Sequence, residues 1–431
     1  MRKTVFRWLL SLLALSIIST PLAGCGLKGA GGVVKADVAK SDKARLPAGD
    51  TAAVPELVAG NTRFALALYS VLYDKNANLF YSPYSISEAL AMTYAGARGS
   101  TAQEMAKALS FALPQERLHA AFNALDQALA SRGANVARDQ GERFSLHVTN
   151  ALWGQQGYPF QPVFLDVLAQ NYGAGLRLLD FQGAPEPSRQ TINRWVEEQT
   201  AEKIKDLLPE GSIDALTRLV LTNAIYFNAG WLHPFEAGAT QDGAFHLLDG
   251  STATVPMMHE SERLGYGEGQ GWQAVELPYV GGELSMVVLL PDEGQFEAFA
   301  RGLDAAKLAG ALSAIGPAQV ALAMPRFKYE AGTQLRDALS KLGMAQAFSR
   351  DADFSGMTGQ PDLYIDNVYH KAFVAVDEKG TEAAAATAVV MELKAMPAQP
   401  KEVTVDRPFI FLIRDVETSA ILFLGQLVNP A

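Results

Sequence analysis

The apolar rhythm of this chain turns from helical to strand-like near its middle, and after Val54 no break in composition separates the two regimes. In the first half, "VPELVAGNTRFALALYSVLYD" puts Leu57, Phe64, Leu66, Leu68, Val71 and Leu72 close to a helical stripe. "SISEALAMTYAGARG" opens on Ser85, meets Glu88 at capping-box spacing, and stops at Gly96 and Gly99. "SRQTINRWVEEQTAEKIKDLL" sets Ile192, Trp195, Val196, Thr200, Ile204 and Leu207 along one side. The second half reads mostly as strands, among them "LVLTNAIYF", "AVELPYV", "LSMVVLL", "QVALAMPRFKYE", "VYHKAFVAV" and "PFIFLIRD", with helical stretches between. After the last, the turn signal "VETSA" and "ILFLGQLV" predict a hairpin near the C-terminus. The expectation is one large α+β domain over residues 51–431, built around large sheets.

The first 50 residues stand apart. "MRKTVFRWLLSLLALSIISTPLAGC" has a basic start and an apolar core from Trp8 to Ile18, too short to span a bilayer and ordered like a secretory signal. Leu22-Ala23-Gly24-Cys25 resembles the lipobox of bacterial lipoproteins. That resemblance implies removal of residues 1–24 and a lipid anchor on Cys25, which is the only cysteine, so no intramolecular disulfide can form. Gly26 rather than Asp after the cysteine implies the outer membrane if the cell is Gram-negative. Residues 26–50, small, charged and without apolar period, read as a flexible tether. The net charge of −10 argues against nucleic acid or anionic polysaccharide as partner, and no run of clustered Lys/Arg overturns this.

Two strands carry a polar residue on the face that should be buried. Alternation puts Asn223 with Leu219, Leu221, Ile225 and Phe227, and His370 with Val368, Ala372, Val374 and Val376. A buried amide or imidazole without partners costs about 1–3 kcal/mol, so these two are expected to bond each other. A catalytic histidine is the sharper alternative, and nothing near His370 supports it. The chain has no G-x-S-x-G elbow, no H-E-x-x-H and no Walker loop. "GYGEGQG" misses dinucleotide-binding spacing and reads as a loop, and none of the six histidines pairs at i, i+3 or i+4. No enzyme, cofactor or metal site is expected.

One stretch fits neither regime. "EKGTEAAAATAVVMELKAM", Glu378 to Met396, sets four consecutive alanines between two strand-like segments, where helix propensity is high but apolar bulk is small. It gains a purpose from a resemblance that covers residues 51–430. "NLFYSPYSISEALAMTYAGARGST", "VTNALW", "INRWVEEQT", "LTNAIYFNAGW", "MPRFKYE", "VYHKAFVAVDEKGTEAAAATA", "VTVDRPFIFLI" and "FLGQLVNP" follow in the order and spacing of the serpins. The resemblance implies a serpin fold with an exposed reactive-centre loop and a covalent 1:1 complex between a monomeric inhibitor and a target serine protease.

In that family the segment is a hinge that inserts into the main sheet once a protease cuts the loop. Gly380 would serve as pivot, Thr381, Glu382 and Thr387 match the inhibitory pattern, and Ala383, Ala384, Ala385 and Ala386 are small enough to slide between packed strands. Ser82, Ser85, Asn223 and His370 fall on the family's shutter, where the sheet parts. Trp231, Arg326 and Glu378 fall on its breach, where the loop enters, with an Arg326–Glu378 ion pair expected. Counting fourteen residues from the hinge glycine places the cut bond at Lys394–Ala395, which suits a trypsin-like enzyme. The loop is about three residues longer than is common, so cleavage after Met391, Leu393 or Met396 and a chymotrypsin-, elastase- or subtilisin-like target remain open, as do a cysteine-protease target and a non-inhibitory binding or carrier role.

Overall fold

Local chemistry starts the helices. The computed structural model describes residues 34–134, 145–381 and 399–430. The signal segment, Cys25, Glu382 to Thr387 and the Lys394–Ala395 bond lie outside them. Pro55 opens α1 (Val54–Leu72) in its first turn, where the missing N–H costs nothing. In α2 (Pro83–Tyr94) Pro83 again takes the first turn, and the Ser82 hydroxyl accepts from the Ser85 N–H, so the cap is Ser82 rather than the Ser85–Glu88 box expected from spacing. Every residue of α2 is buried, as befits a helix enclosed on all sides. Then come α3 (Gly99–Ala108), α4 (Gln115–Ser131), α5 (Pro162–Tyr172) and α6 (Pro185–Gln199). The last stops earlier than its apolar stripe, because Ala201 and Glu202 turn the chain out through two left-handed conformations. Ile204 and Leu207 are still buried, in the irregular segment that follows.

Among the described residues the strands form two sheets. The first contains β1 (Asp37–Ala39), β3 (Ser145–Gln155), β4 (Leu176–Leu179), β5 (Leu219–Gly230), β11 (Phe327–Gln334), β12 (Asn367–Asp377) and β13 (Gly380–Thr381), in the order β1-β4-β3-β5-β13-β12-β11. At its centre β5 and β12 run parallel, paired from Asn367↔Val220 to Phe373↔Tyr226. Beyond that run β13 sits between them, antiparallel to both. The middle of the sheet is thus a seam closed along most of its length and wedged open at one end.

The second sheet follows the order β14-β10-β7-β8-β9-β15-β16-β2, with β6 beside β7. Its strands are β2 (Leu79–Tyr81), β6 (Gln241–His246), β7 (Thr252–Gly269), β8 (Trp272–Pro278), β9 (Leu284–Pro291), β10 (Gly316–Pro325), β14 (Lys401–Thr404), β15 (Phe409–Asp415) and β16 (Ile421–Leu427). The hairpin expected at the C-terminus is β15–β16, paired from Phe409↔Leu427. "GYGEGQG" is not a free loop. Its first five residues end β7, where a Cβ on Gly267 would stand 3.0 Å from the Ala314 carbonyl. Close approach of a helix end, not ligand binding, accounts for that glycine.

The segment read as a tether differs most from expectation. From Val34 to Asp50 it lies along the domain. β1 pairs with the edge strand β4, and Val34 exchanges hydrogen bonds with the Thr191 hydroxyl of α6. Arg45 donates to Asn123 and Asp126 of α4 and to the Asn171 carbonyl of α5, while Ser41 and Lys43 hold Asp166. Backbone pairing and polar side chains supply the order that apolar bulk does not.

Candidate functional site

The seam is fastened at its middle by a buried polar cluster. Because β5 and β12 are in register His370↔Asn223, the two residues stand side by side, and His370 Nδ1 bonds the Asn223 side-chain oxygen. His370 Nε2 takes the Ser82 N–H at 3.3 Å. A backbone amide can only donate, so Nε2 is the acceptor and Nδ1 carries the proton: a neutral imidazole. Burial enforces this by pushing the His370 pKa down to about 3, against its bond to Asn223. The Asn223 amide nitrogen donates to Ser85 Oγ at 2.5 Å and to the side-chain oxygen of Asn150. The structure therefore brings Ser82, Ser85, Asn223 and His370 into one network, with no nucleophile and no acid arranged as in a catalytic triad.

Sequence reasoning missed two members of it. Asn150 of β3 accepts from Ser85 Oγ at 3.1 Å and donates to Glu88 Oε2 at 2.8 Å. A signal for Asn150 was present, since the triplet Thr-Asn-Ala occurs at 149–151 and again at 222–224, and the antiparallel register sets Asn150 opposite Asn223. Glu88 was legible only as a helix cap. It is buried instead, and burial first, then the Asp126 charge, pushes its carboxyl up to about 8, against its bond from Asn150 and the Arg45 charge. Tyr84 donates to Asp126, and Arg45 pairs with the same carboxylate, so the network reaches from the seam to the N-terminal segment.

The open end of the seam is built from different chemistry. Gly380 pairs with Gly230 and Thr381 with Ala229, and a Cβ on Gly380 would stand 2.1 Å from the Ala229 carbonyl oxygen. Only glycine lets the chain pass so close to β5. Thr381 is buried, and its hydroxyl meets the Tyr279 hydroxyl at 2.8 Å. Trp231 stacks on Tyr279 with ring centres 4.6 Å apart and donates from its indole to the Asp377 carbonyl. Arg326 bonds Glu378, whose carboxylate also accepts from Thr240 at 2.6 Å. Burial opposes the Glu378 charge, but the bonds from Thr240 and Arg326 outweigh it and hold the carboxyl below its usual range. Arg326 and Glu378 thus form an ion pair. The carboxylate is buried and the guanidinium half-exposed, which shields it from salt more than a surface pair. Among the described residues no cluster of His, Cys, Asp and Glu could hold a metal ion.

The sequence and the fold are similar to those of known proteins. The family model described as "Serpin (serine protease inhibitor)" matches residues 59–430. Bovine leukocyte elastase inhibitor is 43% identical over 87% of this chain and 100% of its own length, and a serpin-like protein of Thermococcus kodakarensis is 42% identical over 85% of this chain and 84% of its own. Among solved structures, the native state of the thermophilic serpin tengpin aligns with a TM-score of 0.79 at 28% identity, covering 92% of this chain and all of tengpin. Uncleaved ovalbumin aligns with 0.78 at 29% identity, covering 87% of this chain and all of ovalbumin. By sequence along most of its length and by fold, the chain belongs to the serpin family.

Proposed function

We propose that the chain is a single-use inhibitor of serine proteases, with Lys394–Ala395 as bait and the β5–β12 seam as the slot that receives the cut loop. The observation that carries this reading is β13: two residues leading into the loop are paired with both β5 and β12 at the open end of the seam. Continued insertion exchanges one parallel ladder for two antiparallel ones, which satisfies more backbone groups and uses the more stable pairing. At ~3.3 Å per residue, some 14 residues carry the cut end about 45 Å along the sheet.

The chemistry belongs to the target. Its serine hydroxyl adds to the Lys394 carbonyl. Its histidine takes the hydroxyl proton and returns it to the Ala395 nitrogen as the C–N bond breaks, leaving an ester to Lys394. Insertion then drags the protease away and deforms its site before water can cleave the ester. Lys394 suits a pocket ending in a carboxylate. The identity with bovine leukocyte elastase inhibitor favours a second reading, an elastase-like target cut after Met391, Leu393 or Met396.

Mixing residues 26–431 with trypsin and running a denaturing gel tests this. A band at the summed mass, absent for Lys394→Glu, is expected. If trypsin and elastase- and subtilisin-like enzymes all cut the loop without being trapped, a binding or carrier role takes its place. In the same reading the mature monomer is exported and lipid-anchored at Cys25 in the bacterial envelope, on the outer membrane in a Gram-negative cell. The Leu22–Cys25 pattern and Gly26 support it, and Cys25→Ser is expected to move the protein from the membrane to the soluble fraction.

A further inference from the structure

The outward face of the first sheet carries a core of its own beneath α6. Ile192 and Val196 of α6 share it with Val220 and Ala224 of β5 and with Tyr369 of β12. Those residues lie on both sides of the seam, so a strand entering there must part Val220 and Ala224 from Tyr369. α6 and the segment after it are a lid over the seam.

The fastening of that lid is lopsided. Arg177 of β4 places its guanidinium 4.3 Å from the ring centre of Trp195 on α6 and 5.5 Å from that of Trp153 on β3. The two indoles meet edge to face, 5.3 Å apart at 80°. Trp153 is fully buried and donates to the Thr222 hydroxyl at 2.9 Å, which fixes its ring. Arg177 is half-buried, and among the described residues no carboxylate is paired with it. A partly desolvated cation held by two π faces is worth more than an exposed one. The two members of this cluster that lie on the sheet, Arg177 and Trp153, are both on the β3–β4 side, whereas β12 touches this core through Tyr369.

We propose that Arg177, clamped between Trp195 and Trp153, is the positioning residue that fastens α6 over the seam and sets how fast a strand enters between β5 and β12. The proposal rests on the insertion reading above. With the clamp removed, α6 lifts from the β3–β4 side and the seam loses its lid.

Two quantities test this in residues 26–431: the rate at which uncut protein loses its power to trap trypsin on warm incubation, and the number of inhibitor molecules consumed per protease trapped. Arg177→Met is expected to raise the first about tenfold, the size of one desolvated cation–π contact, and to lower the second. Trp195→Leu should do the same, and Arg177→Lys, which keeps a cation over the rings, should lie between. Wild-type values of both quantities in Arg177→Met overturn the proposal, even if its thermal midpoint falls. If the wild-type chain gains heat stability on loop cleavage without trapping any protease, the inhibitor reading fails and the clamp is judged by the rate of that gain, which must rise in Arg177→Met. If cleavage brings no gain, insertion fails and the clamp with it.

Discussion

His370 meets a backbone donor on one ring nitrogen and a side-chain oxygen on the other. Truncating it to alanine strands the Ser82 N–H and the Asn223 oxygen in a dry interior and leaves a cavity. His370→Ala is expected to lower stability by about 2–5 kcal/mol, measured by chemical denaturation of the uncut protein. The network also fixes two opposed pH responses. The His370 pKa is depressed in the fold, so its contribution is complete above the unfolded value of 6.5 and is lost as pH falls toward about 3. The Glu88 pKa is raised, so the fold binds the extra proton and stability falls as pH climbs from 4.5 to about 8. Glu88→Gln is expected to flatten that alkaline-side loss without changing the acid limb, read from urea midpoints at pH 5 and pH 9. At this scale the sequence was partly legible. Strand alternation alone placed Asn223 and His370 in the core, because period two marks a polar residue among apolar ones. Glu88 escaped, because a helix enclosed on every side has no polar face against which a buried carboxylate stands out.

The strand β13 is two residues long, yet the proposed mechanism starts from it. Gly380→Val puts a side chain into the Ala229 carbonyl, so β13 is expected to leave the seam. The variant should then be cut by trypsin with most molecules released as spent substrate, measured as inhibitor consumed per protease trapped. The segment 34–50 carries a second prediction. Its removal exposes the edge of β4 and leaves Asp126 and Asp166 without Arg45 and Lys43, so the thermal midpoint is expected to fall in a version starting at Thr51. That segment was misread from sequence for a physical reason. Disorder rules weigh apolar bulk, whereas this stretch is held by backbone pairing at a sheet edge and by polar side chains. The end of α6 was misread in the opposite sense, since burial of Ile204 and Leu207 continued the apolar pattern past the point where the backbone left the helix.

At the scale of the molecule, the pairing of β5 with β12 is the feature no local pattern revealed. Parallel strands joined by a long stretch of chain leave no turn signal, so the cost of burying Asn223 and His370 predicted that they bond each other but not the parallel register that brings them together. In the proposed reading, what the whole fold holds in reserve is the energy of completing that sheet, with the uncut chain kinetically trapped short of it. The measurement that tests this most directly is the thermal unfolding of residues 26–431 before and after a single cut in the loop. The cut chain is expected to unfold at a clearly higher temperature than the intact one, because severing a covalent bond releases the strand that fills the seam. A cut chain that unfolds at the same or a lower temperature would contradict the account.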